Sequence, residues 1–244
     1  MLCSIITVCL NAEKTIARTI ESVLNQTDPE IEYIIMDGLS TDRTLEIAES
    51  YREAFAEKGY DYIIHSGPDN GIYDAMNLGI CRAKGKLIGI INSDDWYESD
   101  AVQTMKALYS DGGFDLAFAD VRMHMTNGRT FIKRARLRKY VTSRDWNHPT
   151  QFVRREVYDR FRYRCENISD DMDFYFRVRA AGYKIRIVNR VLANFRMGGV
   201  SSRIPLSEVG ERIKRRYRIY RNNGYSRFYL FECIGFEVIK FILA

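Results

Sequence analysis

The chain has 244 residues, 46% of them hydrophobic, 13% aromatic and 28% charged, with 16 Gly and 4 Pro. So large an apolar fraction excludes a disordered chain, and so little Gly and Pro excludes a low-complexity one. The net charge of +5 is unevenly spread, because Arg203 to Arg227 hold eight Lys or Arg against two Glu, and Arg129 to Lys139 hold six with no acid; a near-neutral body thus carries basic segments suited to an anionic ligand or surface. Taken in chain order, Leu2 to Leu10 reads as a buried strand and Lys14 to Gln26 as a helix with Ile16, Ile20, Val23 and Leu24 on one face. A strand over Ile31 to Asp37, a helix over Thr41 to Glu57 and a strand over Tyr60 to His65 follow. The pattern then predicts a helix over Gly71 to Ala83, a strand over Lys86 to Asn92, a helix over Ser99 to Tyr109 and a strand over Phe114 to Ala119. Such alternation means βαβ units on a parallel sheet.

The second half breaks this rhythm. Val121 to Met125 and Arg129 to Lys133 flank Asn127-Gly128, a hairpin turn signal. Gln151 to Val153, Lys184 to Asn189 and Val191 to Arg196 read as strands, and Arg154 to Arg160 and Asp171 to Ala181 as helices. Beyond Pro205, Leu206 to Leu243 reads as two basic, aromatic-rich helices broken near Asn223-Gly224. The expected organisation is a domain over 1–204, with a nucleotide-binding half at 1–97 and an acceptor-binding half at 98–204, followed by a helical tail at 205–244. No uncharged apolar run reaches the ~18 residues of a membrane span. The first residues lack a basic segment and a cleavage site, so they predict a strand and not a signal peptide. The five cysteines form no C-x-x-C pair, which predicts reduced cytoplasmic thiols and no zinc site.

In an open parallel sheet, ligands bind beyond the carboxyl ends of the strands. There this chain carries Thr7 and Asn11 after strand one, Asp37 after strand two and Asn92-Ser93-Asp94-Asp95 after strand four. Asp37 and Asp94 on neighbouring strands would crowd negative charge into one crevice, which a cation or a donor-rich ligand relieves. Each segment alone is ordinary loop chemistry, and Asp42 reads as a helix cap.

Together the segments resemble the family 2 glycosyltransferases. The resemblance rests on Ile6-Thr7-Val8-x-x-Asn11, Asp37-Gly38-x-Ser40-Thr41-Asp42-x-Thr44, Asn70 to Gly85 with its Gly71-Ile72-Tyr73-Asp74-Ala75-Met76-Asn77 core, Asn92-Ser93-Asp94-Asp95, and Ser169-Asp170-Asp171-Met172-Asp173-Phe174. It implies a glycosyltransferase A-type (GT-A) fold: a mostly parallel central sheet flanked by helices, with a small hairpin and C-terminal helices. The wording around Gly71 to Asn77 resembles the branch that builds bacterial surface polysaccharides.

The resemblance further implies an inverting transferase that moves a sugar from a nucleoside diphosphate donor, UDP-linked by preference, to a saccharide or lipid-linked acceptor. Thr7, Asn11, Asp37, Asn77 and Asn92 would hold the donor. Asp94, with Asp95 as a second candidate, would hold Mn²⁺ or Mg²⁺; Asn92 stands where the family usually has the first acid, which brings no charge. Asp171 would be the base that takes the acceptor's proton, since a direct displacement needs one carboxylate for that proton and one cation for the departing diphosphate. His148, Asp170 and Gly199 are candidates on the acceptor side. Bland alternatives stand beside these: an N-cap for Asp170, packing for His148 and Asn77, a plain turn at Gly198-Gly199, and core roles for Tyr73, Met76, Trp96 and Trp146.

The basic tail has three readings: a peripheral membrane contact, packing on the domain, or a homodimer interface. The protein is expected in the cytoplasm, at the inner face of the membrane if the tail binds lipid. The competing function is a non-catalytic nucleotide-sugar-binding or scaffold protein on the same fold. A nucleic-acid binder is disfavoured by the neutral body and the absence of an RNA- or DNA-binding signature, and a dinucleotide-dependent dehydrogenase by the absence of G-x-G-x-x-G after strand one. The catalytic reading requires Asp94 and Asp171 to serve one cavity.

Overall fold

The computed structural model describes residues 1–142, 144–198 and 208–243, without the side chains of residues 239–243. The strands are β1 (Cys3–Cys9), β2 (Ile31–Asp37), β3 (Asp61–Ser66), β4 (Leu87–Asn92), β5 (Trp96–Tyr97), β6 (Leu116–His124), β7 (Thr130–Lys133), β8 (Phe152–Arg154) and β9 (Ile185–Arg196). The helices are α1 (Ile16–Leu24), α2 (Thr44–Glu49), α3 (Arg52–Lys58), α4 (Ile72–Arg82), α5 (Ala101–Ser110), α6 (Arg155–Arg160), α7 (Asp170–Ala180), α8 (Val209–Asn222) and α9 (Tyr229–Leu243).

The strands form one sheet in the order β3-β2-β1-β4-β8-β6-β9-β5, with β7 paired to β6. β1, β2, β3 and β4 are mutually parallel, and β6 is parallel to β9. Because β8 is antiparallel to both β4 and β6, β6 runs the same way as β4. Six strands therefore share a direction, while β5, β7 and β8 oppose it.

Both faces of the sheet are covered, which is why β1, β2 and β4 read as unbroken apolar runs. On one face Ile5, Tyr33, Ile35 and Ile91 pack with Ile16 and Ile20 of α1, Phe55 of α3 and Met105 of α5. On the other Ile6, Val8, Ile34 and Ile90 pack with Met76 and Ile80 of α4, Phe174 and Phe176 of α7 and Tyr220 of α8. Each such side chain contributes roughly 1.5–3 kcal/mol by leaving water. The approach of α4 to β1 is close: a Cβ on Gly79 would come 2.6 Å from Ile6, so glycine is required there.

Several predicted boundaries shift for identifiable reasons. The helix expected over Thr41 to Glu57 is two helices, and at the break the Ser50 hydroxyl donates to the Ile47 carbonyl at 2.7 Å, a local bond that competes with helix continuation. The fifth strand and the first hairpin arm are one strand, β6, and the two strands predicted over 184–196 are one strand, β9. The β6–β9 register slips at Asp120, between Ala119 opposite Val188 and Asp120 opposite Val191. The freed Asp120 carboxylate accepts from the Ala135 N–H at 2.7 Å, a bulge that the sequence disguises as a break.

Candidate active site

The loops after β1 and β2 are latched together. The Asn11 N–H donates to the Ser40 hydroxyl, Asn11 Oδ1 accepts from the Thr41 N–H, and the Ala12 N–H donates to the Thr44 hydroxyl, at 2.8, 2.8 and 2.7 Å. Asn11 and Leu39 take left-handed backbone conformations with φ of 50° and 63°, uncommon for side-chain-bearing residues and costly for leucine. Asp37 is buried, accepting from the Ser66 hydroxyl at 2.7 Å and the Ser40 N–H at 3.1 Å. Its carboxylate thus organises the ends of β2 and β3 from within, and does not stand open at the crevice as the sequence implied. Asp69 lies beside these ends: a Cβ on Gly38 would come 2.6 Å from its carboxylate. Asp69 is a candidate the sequence reading missed, because its loop follows β3 and only the fold brings it against Gly38.

Thr7 requires a correction. Its side chain is fully buried on β1 and its hydroxyl accepts from Tyr33 at 3.0 Å, so it belongs to the core. Asn77 also turns out to be a clamp: its amide donates to the Tyr163 carbonyl at 2.8 Å and accepts from the Tyr163 N–H at 3.1 Å. That holds the segment before α7 against α4, and the same amide nitrogen also lies 3.4 Å from Cys165 Sγ.

At the end of β4 the acids divide. Asp95 is wholly buried; one oxygen accepts from the Arg196 N–H at 3.0 Å and the other has no hydrogen-bond partner. Burial, and next the charge of Asp94, push its carboxyl well above the usual range. Asp95 therefore braces the turn from behind and is not an exposed metal ligand. Asp94 is half-buried, and its carboxyl is also raised by burial, with Arg196 opposing. Asn92 Oδ1 is buried without a partner. A half-buried carboxylate and, two residues earlier in the chain, an unsatisfied amide oxygen are hard oxygen donors of the kind Mn²⁺ or Mg²⁺ takes, so Asp94 and Asn92 fit the implied cation, although no cluster of three ligating side chains exists among the described residues. Nearby, the Arg18 guanidinium lies 3.3 Å from the centroid of the Trp96 ring and has its pKa lowered by burial and by Arg196. Arg196 beside Asp94, with Arg18 in turn beside Arg196, was not foreseen, since Arg18 sits on α1 and Arg196 on β9.

Asp171 opens a cavity of about 260 Å³, lined among the described residues by Lys133, Trp146, His148, Phe195, Arg212, Arg216 and Phe236 together with others. The first turn of α7 carries Asp170, Asp171 and Asp173, which suits a helix N-terminus. Asp170 is buried and accepts from the Glu166 and Asn167 N–H groups at 2.7 and 3.2 Å; it closes the preceding turn and does not serve the acceptor. Asp173 is buried against Arg177 and Arg164 at 2.7 and 3.4 Å and accepts from Asn223 at 3.2 Å. That leaves Asp171, half-buried and facing the cavity, with its charge felt by His148, Lys133, Tyr73 and Tyr163.

His148 lines the same cavity, 3.2 Å from the Tyr163 hydroxyl, and burial lowers its pKa against the pull of Asp171. Tyr73 is core, as read, but its hydroxyl donates to the Ile168 carbonyl at 3.0 Å and meets Asp171. Trp146 is buried yet reaches the cavity wall. Asp94 is not among the lining residues, so the structure does not bring the two acids into one cavity as the sequence reading required; Asp94 stands beside Arg196, whose chain neighbour Phe195 lines the cavity. Gly199, the last acceptor candidate, lies outside the described residues. α8 and α9 are built into the cavity: Arg212 and Arg216 both reach Glu237, at 3.5 and 3.2 Å, and Tyr220 stacks on Tyr229 at 4.2 Å.

A largely parallel sheet with helices on both faces, an acidic turn at the end of β4 and a carboxylate-bearing cavity at the start of α7 define the GT-A architecture. Two solved structures with this fold are TarS of Staphylococcus aureus in complex with UDP-GlcNAc (TM-score 0.70, 18% identity, 98% of this chain and 72% of that one) and the mannosyltransferase PcManGT of Pyrobaculum calidifontis in complex with GDP-Man and Mn²⁺ (TM-score 0.66, 13% identity, 99% and 74%). The family model described as glycosyl transferase family 2 matches residues 4–179. A PGL/p-HBAD biosynthesis glycosyltransferase of Mycobacterium tuberculosis is 31% identical over 222 residues, covering 86% of this chain and 83% of that protein. A putative teichuronic acid biosynthesis glycosyltransferase, TuaG of Bacillus subtilis, is 34% identical over 102 residues, covering 42% and 39%. The chain belongs to glycosyl transferase family 2.

Proposed function

We propose that this chain is an inverting glycosyltransferase that moves a sugar from a nucleoside diphosphate donor, UDP-linked by preference, to a saccharide acceptor in surface polysaccharide synthesis. The observation that carries the reading is Asp171: the other acids of its turn, Asp170 and Asp173, are buried, while this one, with one oxygen accepting from the Met172 N–H at 2.8 Å, is half-buried and lines a cavity next to His148. It is placed to take the acceptor hydroxyl's proton as the anomeric carbon changes partners, and with no protein nucleophile intervening the configuration inverts. His148, Tyr163 and Tyr73 orient that carboxylate and keep water from it. The donor lies across the ends of β1, β2 and β4, with its nucleoside beside Asp37, Gly38 and Asp69. Asp94 and Asn92 would hold a divalent cation there, which supplies charge neutralisation of the diphosphate when bound. Arg196 adds positive charge beside Asp94. The 1–97 segment serves the donor; the acceptor cavity draws on 98–204 and also on α8 and α9. The test is release of UDP from a panel of UDP-sugars with and without Mn²⁺: release that Asp171→Asn abolishes supports a transferase, and UDP binding with no release under any condition supports the non-catalytic alternative.

A second reading concerns the tail. Phe228 and Phe231 are 66% and 71% exposed, and Ile234 and Val238 continue the same face of α9 beside Arg227 and Arg221. No helix among the described residues is long and apolar enough to cross a membrane, and an apolar strip rimmed by arginines suits the surface of an anionic bilayer. Flotation with anionic liposomes tests this; absence of binding at low salt removes it.

A further inference from the structure

The cavity at Asp171 is more cationic than proton abstraction requires. Lys133 from β7 and Arg212 and Arg216 from α8 converge on it, against the single carboxylate of Asp171 in its lining. Behind the wall, Glu237 is the shared counter-ion of both arginines, so one of the two guanidinium charges is left without a carboxylate of its own. Arg216 is 9% exposed, its Nε has no partner, and its guanidinium lies 4.1 Å from the centroid of the Phe236 ring. The Lys133 ammonium donates to the Trp146 carbonyl at 3.0 Å, which uses one of its three donors. Between these charges stand apolar and aromatic surfaces, Trp146, Phe195, Phe236 and Met123, of the kind that sugar faces stack on. About 260 Å³ is just below the ~300 Å³ of the smallest drug-sized pockets, room for one sugar unit.

From this geometry we infer that the cavity binds an acceptor sugar bearing an anionic group, a carboxylate or a phosphate, held by Lys133, Arg212 and Arg216 while its hydroxyl faces Asp171. The inference rests on the transferase reading above and adds the acceptor's charge class. The cations are assigned to the acceptor and not to the donor diphosphate because no residue of the 1–97 half lines the cavity. Partly buried cations converging from separate elements are costly unless paired, and Lys133 shows that cost even facing two acids: its pKa is depressed to about 8 by burial, opposed by Asp171 and Asp145 and helped by Arg216 and Arg144. An anion seated against it reverses that depression.

The experiment follows the Lys133 titration directly. Protein labelled with ¹³C at lysine Cε, with the Lys133 resonance assigned by Lys133→Arg, is titrated alone, with UDP, and in saturating UDP with methyl β-D-glucuronide, glucose 6-phosphate or methyl β-D-glucoside. The expected result is a rise in the Lys133 midpoint of about one unit or more, corresponding to at least about tenfold preference for the ammonium form, with either or both anionic sugars and none with the glucoside or UDP. A response to one anionic sugar alone identifies the group as carboxylate or phosphate. The Arg212→Gln protein, in which Arg216 keeps Glu237, should bind the responding sugar about tenfold more weakly with UDP affinity unchanged. A midpoint moved by UDP alone assigns the cations to the donor and overturns the inference, as does an equal response to the glucoside or no response to any sugar. If Asp171→Asn leaves UDP release intact while the Lys133 response is seen, the transferase reading fails and the anion site stands.

Discussion

Asn77→Ala separates the clamp seen in the fold from the donor contact implied by the sequence. The Asn77 amide makes two hydrogen bonds to the backbone of Tyr163, at 2.8 and 3.1 Å, in a partly buried setting. Each is worth about 1 kcal/mol net, and a backbone group stranded away from water adds roughly 1–3 kcal/mol. Allowing water to reach one of the two groups, the loss is about 3–5 kcal/mol. At about 2–4 °C per kcal/mol for a domain of this size, the melting temperature should fall by roughly 6–20 °C. Tyr163 also meets His148 at 3.2 Å, so kcat should fall more than donor affinity does. Thermal melts, UDP titration and UDP-release kinetics on the same preparation check this. A melting temperature unchanged within about 1 °C, together with a large rise in donor KM, would refute the clamp and return Asn77 to the donor site.

Asp171→Asn should lower kcat by about 10²–10⁴-fold with the Kd for UDP unchanged; parallel loss of UDP binding moves Asp171 to the donor side. Asp94→Ala should weaken UDP binding in Mn²⁺ but not in a chelator, read by calorimetry, and equal weakening in both ends its metal role. Asp173→Ala leaves the mostly buried Arg177 without its carboxylate and takes an acceptor from Asn223 and the part-exposed Arg164, and should cost about 3 kcal/mol of stability, read by urea unfolding. Lys133→Met should stabilise the fold at pH 7 by an amount of order 2 kcal/mol, because a lysine held near 8 where its ordinary value is 10.5 opposes folding at neutral pH. The unfolded chain keeps that proton between pH 8 and 10.5 while the folded one does not, so wild-type stability should rise with pH in that window and the variant's should stay flatter.

Elements were legible wherever one physical signal dominated. β1, β2 and β4 announce themselves as apolar runs because the sheet is covered on both sides, and α1 by its one-sided stripe. What stayed hidden depended on distant pairing. β5 is two residues long and exists through its pairing with β9, where Trp96 faces Asn194 and Tyr97 faces Ala193. The bulge at Asp120 is set by where β9 lands, and the turn residues Asn189 and Arg190 masked the strand's continuity. Lys133, Arg212 and Arg216 belong to two basic runs read only as suited to some anionic ligand or surface; the fold shows that members of both runs meet over Asp171.

The same logic explains why the acidic motifs were easy to find and hard to apportion. Sequence shows that Asp94, Asp95, Asp170, Asp171 and Asp173 cluster in two turns, but not which carboxylates the fold consumes. Asp95 is held by the Arg196 N–H, Asp170 by two N–H groups of its own turn, and Asp173 by arginines and Asn223. These bonds fix the turns by satisfying buried backbone donors, and a carboxylate so buried and engaged does not face a substrate. Asp94 and Asp171 are the half-buried members, one in each turn. A turn that must place one reactive carboxylate rigidly needs other acids to hold it, so the runs of aspartate are scaffold and tool together. Replacing the braces Asp95 or Asp170 by Asn should therefore cost stability and blur the position of the neighbouring acid, lowering kcat in proportion to the lost order, whereas replacing Asp171 removes the chemistry and leaves the melting temperature nearly unchanged.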